Sequence, residues 1–299
     1  MVLTDPFDRI PYSPIVERPR LTLPNGARVA LWVVPNIEHY EYLPRRVAPR
    51  DPWARMPHPD VLGYAIRDYG NRAGLWRMFD VMDRLSIRCT VSLSMSVYDR
   101  YPEIMEGIEG RGWDVLCHGL DNTHYLWGMG EAEERATIAE CQEIYRRTTG
   151  KALLGWFSPS ATFTANTPDL VAEAGFRYYC DFYHDDQPTW INVRSGRLMT
   201  LPYQMDVNDA MAYRHHFDAA EFERMMLDHF ECLYEEGAET ARIVCIALHP
   251  YIMGQPHRIA ALERALGAMV ERSGVWVATG TEISDWFLGA TRGQEAPAP

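Results

Sequence analysis

Short apolar, β-branched runs recur along the chain at strand length: Ala27 to Val34, Cys89 to Leu93, Asp114 to Cys117, Leu153 to Trp156, Tyr178 to Asp181, Leu198 to Pro202, Ile243 to Leu248 and Val275 to Ala278. Between them lie stretches of helical period: Gly70 to Leu85, Tyr101 to Gly110, Glu131 to Arg147, Thr167 to Ala174, Ala219 to Glu236 and His257 to Arg272. Thr167-Pro168 is a helix-opening pair, and Gly175 and Gly237 stand where helices should close. Strands alternating with helices predict a parallel sheet, and about seven such units favour a barrel over an open sheet. In such barrels the chemistry collects just past the C-terminal ends of the strands. Those segments are therefore where functional residues should be sought.

Composition narrows the classes of function. The 299 residues are 47% hydrophobic, enough for a sizeable core, and carry a formal net charge of -12 with a pI near 5.3. An acidic surface repels polyanions, so nucleic acid and anionic membranes are poor partners, and a small molecule fits better. Met1 to Glu17 holds Asp5, Asp8 and three prolines and has no basic-then-apolar leader pattern; no run of about 18 apolar residues occurs elsewhere. The expectation is a cytoplasmic protein. Cys89, Cys117, Cys141, Cys180, Cys232 and Cys245 are dispersed without a C-x-x-C pair and read as small packing residues. No repeat or low-complexity linker divides the chain. The expected organisation is an N-terminal extension over 1–20, one catalytic barrel over 21–290 and a polar, Ala/Pro-rich tail over 291–299.

Five strand ends carry groups that move protons or bind cations. Asn36-Ile37-Glu38 follows the first run, His118-Gly119 with Asn122 and His124 follows the third, and Trp156-Phe157-Ser158 ends the fourth. Asp181 to Pro188 follows the fifth and includes Asp185-Asp186, which could make a turn or cap a helix as readily as touch substrate. His249-Pro250 ends the Ile243 run, where the proline holds His249 extended. Gly119 lets the backbone turn away at once and leaves the His118 imidazole at the mouth. A carboxylate, imidazoles and an amide converging on one barrel mouth are the parts needed to activate water and to protonate a leaving nitrogen. Glu38, His118 and His249 are the candidate catalytic residues. A mouth lined by Trp156, Phe182 and Tyr183 would desolvate Glu38 and raise its pKa toward that of a base.

The order and spacing of these segments resemble the polysaccharide deacetylase superfamily, over roughly Leu21 to Phe287. The resemblance implies a distorted (β/α)₇ barrel. Asp181-Phe182 with Asp185-Asp186-Gln187-Pro188, Leu201-Pro202-Tyr203 with Asp206 and Asn208-Asp209, and His249-Pro250 with Gly254-Gln255-Pro256-His257-Arg258-Ile259 look like its branch of metal-independent allantoinases and cyclic imide hydrolases. Deacetylases of the superfamily open with D-x-D, the first Asp a base and the second a metal ligand, and complete the metal site with H-x-x-x-H. Here those positions read Asn36-Ile37-Glu38 and His118 to Asn122, and Gly155 to Pro159 lacks the Arg that would orient the base. Asn36 cannot accept a proton. The resemblance thus implies a hydrolase acting on a small, cyclic amide, an allantoin-like ureide or an imide, with no metal required. The alternative is a metal-dependent deacetylase of an N-acetylated carbohydrate. If zinc or another divalent ion binds, Glu38 and His118 are its expected ligands, with Asn122 or His124 completing the site. Leu120 to His124 stands where allantoinases carry a ureide-recognising Arg, so the ring could be another amide. Asn36, Trp156, Ser158, Asp185 and Tyr203 are the expected substrate contacts. A homo-oligomer, dimer or tetramer, is the expectation carried by the same analogy.

Overall fold

The computed structural model describes residues 6–43 and 61–292. Among these residues nine strands form one sheet: β1 (Val29–Ile37), β2 (Thr90–Leu93), β3 (Asp114–Cys117), β4 (Gly155–Trp156), β5 (Tyr178–Tyr179), β6 (Thr189–Val193), β7 (Gly196–Thr200), β8 (Arg242–Leu248) and β9 (Val275–Val277). Their order is β6-β7-β5-β4-β3-β2-β1-β8, with β9 added on β1, and every pairing is parallel except the β6–β7 hairpin. The sheet curls around a core of its own, in the manner of a polysaccharide deacetylase-type barrel.

All nine residues of β1 are buried, as expected of a strand covered on both sides. Successive side chains of a strand point to opposite faces, and the packing sorts accordingly. Ala30, Trp32 and Val34 meet Leu116, Tyr178, Cys180, Met199, Ile243, Cys245 and Ala247 in an inner cluster. Val29, Leu31, Val33 and Ile37 pack outward, with helix residues such as Leu75, Met78, Phe79 and Met82. The even-numbered face of β1 is therefore the inside of the barrel. It continues through Asn36 to Glu38.

The barrel is distorted at two places. β9 pairs with Val29 to Leu31 while β2 pairs with Asn36 and Ile37, so β1 has one neighbour at its base and another at its tip. On the far side β8 lacks a full strand partner. Its amides are met instead by Asp186 O (from Ile243 N, 3.0 Å) and Gln204 Oε1 (from Cys245 N, 2.7 Å), and by a one-residue bridge from Ala247 to Asn208.

Each of the eight strand expectations has a counterpart. β1 runs three residues further than expected, so Asn36 lies within it. β6 was not expected; Thr189–Val193 follows a proline and pairs back on β7 through a tight turn ending at Gly196 (φ 127°). The helix over 280–290 was also missed, although Thr279 and Glu282 form its capping box. The helix expected from Gly70 begins at Val61 and carries a π-turn over Gly70–Gly74. There Asn71 donates to Glu38 O (2.8 Å), and Gly70 and Gly74 lie against the Pro250–Tyr251 backbone. One helix thereby fixes the segments after β1 and β8 relative to each other.

The N-terminal segment is anchored by Arg9, whose guanidinium grips both oxygens of buried Asp169 (2.7 and 2.8 Å). Five of the six cysteines are buried and all six are free.

A Cβ on Gly74 would stand 2.0 Å from Pro250 O, a backbone atom that cannot swing aside. Gly74→Ala should cost about 1–3 kcal/mol of stability, measured as a fall in the urea midpoint with an unchanged m-value. An unaltered midpoint would show that this helix is not packed as described.

Candidate active site

Inner-face parity delivers the site. Past the inward Ala30, Trp32 and Val34 come Asn36 and Glu38; past Leu116 comes His118; past Ile243, Cys245 and Ala247 comes His249. Their side chains meet at one mouth. Glu38 Oε1 lies 3.2 Å from His118 Nε2 and 3.7 Å from His249 Nε2, and Glu38, His118 and His249 are all buried. Glu38 Oε2 accepts from Tyr40 OH (2.7 Å).

Each imidazole is oriented by its second nitrogen. His118 Nδ1 faces Phe157 O at 3.0 Å, and a carbonyl can only accept, so Nδ1 carries the hydrogen and Nε2 is left to face Glu38. Phe157 also stacks on the ring, with centroids 4.7 Å apart. His249 Nδ1 is 2.6 Å from Asp209 Oδ1, while its backbone N–H donates to Asp209 Oδ2 (2.7 Å). Asp209 opens the helix Asp209–Arg214, capped by Asn208.

Electrostatics assign the charges. Burial pushes the Glu38 carboxyl up, but the facing His249 and His118 outweigh it and hold its pKa far below the usual carboxylate range. Burial likewise opposes a charge on His249, yet Tyr251, Asp209 and Glu38 together keep its imidazole well above the ordinary value. The resting pair is carboxylate and imidazolium. This corrects the expectation that desolvation raises Glu38: the mouth is lined by imidazoles as well as by rings, and charge dominates. Tyr40, driven up by burial and by Glu38, stays a phenol and a donor.

The expected substrate contacts divide. Asn36 is buried and occupied, its Nδ2 2.9 Å from Tyr203 OH and 3.2 Å from Leu248 O. Tyr203 stacks on Phe157 (4.3 Å). Both belong to the floor of the site. Trp156 does not reach the mouth: parity turns it outward, where it packs edge-on to Phe176 (5.5 Å) and donates to Ser158 Oγ (3.0 Å). Ser158 in turn donates from N (2.9 Å) and Oγ (2.7 Å) to Asp181, whose burial pushes its carboxyl up to about 6 against those hydrogen bonds. Asp185 is spent on Arg18 (2.7 and 2.5 Å) and on Gln187 N, an anchor for the N-terminal segment. Phe182 faces outward onto Tyr179, whereas half-exposed Tyr183 stands edge-on to Phe157.

Residues that sequence reasoning left out of the site include Tyr40, Asp209, Phe157 and Tyr251. Only Asp209 had a local signal, as an acid directly after a helix-capping Asn.

The residues named as ligands should a metal bind are engaged as follows. Asn122 Oδ1 accepts from Ser160 N (2.7 Å) and Oγ (3.1 Å) while its Nδ2 faces Tyr40 OH (2.5 Å). The His124 backbone bonds to Asp121, and its ring joins none of the site's hydrogen bonds. Among the described residues no group of three or more His, Cys, Asp or Glu is arranged to hold a metal ion. Among them, too, no helix is long and apolar enough to cross a membrane.

Comparisons with known proteins bear on the fold and the kind of domain. The family model described as polysaccharide deacetylase matches residues 64–179. A Schizosaccharomyces pombe protein whose name places it with the polysaccharide deacetylases is 27% identical over 237 residues, 73% of each chain. A crystal structure of PuuE allantoinase superposes with a TM-score of 0.80 and 28% identity, covering 91% of this chain and 94% of that one. A probable polysaccharide deacetylase from Pseudomonas aeruginosa PAO1 gives 0.79 and 29%, covering 94% and 96%. Residues 64–179 thus carry a polysaccharide deacetylase domain, and over nine-tenths of its length the chain is similar to solved structures of that kind of hydrolase.

Two outcomes test the site. Glu38, depressed in the fold, contributes stability above the ordinary carboxylate value of 4.5 and loses it as pH falls toward its folded value. His249, raised in the fold, contributes below 6.5 and loses that as pH rises through its folded value. Urea unfolding across pH should therefore show a steeper acid decline for the wild type than for Glu38→Gln; parallel curves would remove the ion pair. Asp209→Asn should lower the His249 pKa in an NMR titration, and an unmoved resonance would show that Asp209 does not set its charge.

Proposed function

We propose that this chain hydrolyses the C–N bond of a small, cyclic amide, an allantoin-like ureide or an imide, without a bound metal. The observation that carries the reading is the single carboxylate between two imidazoles: the superfamily's first acid is here Asn36, consumed by Tyr203 and the Leu248 carbonyl, and Asn122 is held by Ser160 and Tyr40. The likeness to a structure titled as an allantoinase, over nine-tenths of both chains, supports it.

In this mechanism a water sits against Glu38 and the Nε2 of His118. It loses a proton to Glu38 as its oxygen adds to the amide carbon. Hydrogen-bond donors at the mouth stabilise the oxyanion. The C–N bond then breaks as His249 gives its Nε2 proton to the nitrogen, with Asp209 holding the ring. Once His249 has given up its proton, a charge that kept Glu38 acidic is gone. The proton from water is then held more firmly, until product release returns it to His249.

Glu38→Gln keeps shape and removes the acceptor, so kcat should fall by about 10² to 10⁴ with a smaller change in KM. Near wild-type turnover would transfer the base role to His118. The substrate class is tested by a screen of allantoin, hydantoins, succinimide-like imides and acetylated chito-oligomers, with and without chelator. Ring amides should be opened and the chelator should have no effect. Faster acetate release from the oligomers, lost on chelation, would establish the metal-dependent deacetylase suggested by the names of two of the relatives.

A further inference from the structure

The Glu38–His118 contact spans a strand. β2 lies between β1 and β3, and neighbouring strands stand about 4.8 Å apart, so the backbones that carry the carboxylate and the imidazole are roughly 10 Å from each other. The two side chains nevertheless meet at 3.2 Å, and they do so over β2. Register names the residue beneath them. Ile37, Leu93 and Cys117 are partners across the three strands, and the next position on each is Glu38, Ser94 and His118. The ladder continues through this level, since Ser94 N donates to Ile37 O (3.1 Å) and His118 N to Leu93 O (2.8 Å). Ile37, Leu93 and Cys117 all pack outward, so by alternation Ser94 turns to the same inner side as the pair. Further down β2, Thr90 has that parity too: its Oγ1 accepts from Gly280 N (2.8 Å), and Gly280 lies against the inward rings of Trp32 and Tyr178.

Ser94 cannot retreat from the pair. Its amide is held by Ile37 on one side, and the next amide, Met95 N, donates to Gly119 O (2.8 Å) on the other. The residue is 0% exposed, and its Oγ is buried without a hydrogen-bond partner. A hydroxyl that makes no hydrogen bond contributes none, and removing it leaves no partner unpaired. What position 94 supplies is therefore smallness. A branched side chain would stand where the Glu38 and His118 stems converge, and a packed interior does not take up an added group without displacing its neighbours.

We propose that Ser94 is a positioning residue of the hydrolytic site, the small side chain over which Glu38 and His118 close on each other. Its part in turnover rests on the amide-hydrolase reading, but the closure is measurable without a substrate. The test enlarges the position by Ser94→Val, with Ser92→Val as control. Ser92 pairs with Asn36, one inward position lower, and its Oγ is likewise buried and unpartnered, so the control adds the same group to the same face away from the pair. His118 is one of the groups that hold Glu38 ionised; displacing it should raise the folded carboxyl and make the acid decline of urea stability shallower than in the wild type, toward that of Glu38→Gln. Ser92→Val should keep the wild-type slope, whatever its midpoint at neutral pH. On ring amides kcat of Ser94→Val should fall about 10²-fold with a smaller change in KM, the scale of an ångström's misplacement. Ser94→Ala, conservative in size, should restore both slope and turnover. If Ser94→Val does not fold, Ser94→Cys is a milder enlargement with the same expected directions. A wild-type slope in the enlarged variant, an equally shallow slope in Ser92→Val, or a slope lost in Ser94→Ala would overturn the proposal. The two readings fail separately. A slope change confined to position 94 in a protein that opens no amide leaves the closure standing and removes the reaction. Amide hydrolysis with slope and kcat unmoved by Ser94→Val does the reverse.

Discussion

A carboxylate buried at the mouth of an apolar barrel cannot remain ionised without compensating charge and hydrogen bonds, because desolvation alone would drive it neutral. Glu38 has that compensation from three directions: His118, His249 and the Tyr40 hydroxyl. Each supporter needs its own support. His118 leans on the Phe157 carbonyl, His249 on Asp209, and Tyr40 meets Asn122. The segments that follow β1, β3, β4 and β8 are thus tied to one charge. The helix that packs Gly70 and Gly74 onto the Pro250 backbone and holds Glu38 O through Asn71 ties the first and last again from outside.

The same arrangement underlies the proposed metal-free reaction. With Asn at position 36, no second carboxylate competes for a cation. Asn122 is turned toward Ser160 and Tyr40, and the imidazolium of His249 balances Glu38 in a cation's stead. In the proposed reaction His249 as general acid and Glu38 as general base stand together, each in the protonation state its role requires. The cost is a resting carboxylate of low basicity. In the proposed reaction that cost is relieved only when His249 gives up its proton.

The sheet was largely legible because period-2 burial is a property of the backbone. Runs such as Val29 to Val34 and Ile243 to Leu248 bury both faces and read as parallel strands from composition alone. The β6–β7 hairpin was not legible, since Thr189 to Val193 is short and follows a proline. The helix over 280–290 was overlooked even though its capping box is written in four residues. Parity, once the inner face is known, sends Asn36, Glu38, His118 and His249 inward and Trp156 outward, whereas Phe182, beyond the end of β5, breaks the alternation and packs onto Tyr179. The sequence offers the alternation but not which face is inside.

What the sequence by itself determined is the order of strands and helices, the acidic character, and the placement of Glu38, His118 and His249 at strand ends, because these follow from local periodicity and residue chemistry. Tertiary structure alone decided which groups meet. Asp209 lies forty positions from His249 and Tyr203 lies 167 from Asn36; no local pattern encodes such pairings. The charge on Glu38 was likewise beyond the sequence. Its sign depends on whether desolvation or two imidazoles a few ångströms away prevail, and only the folded distances decide that contest.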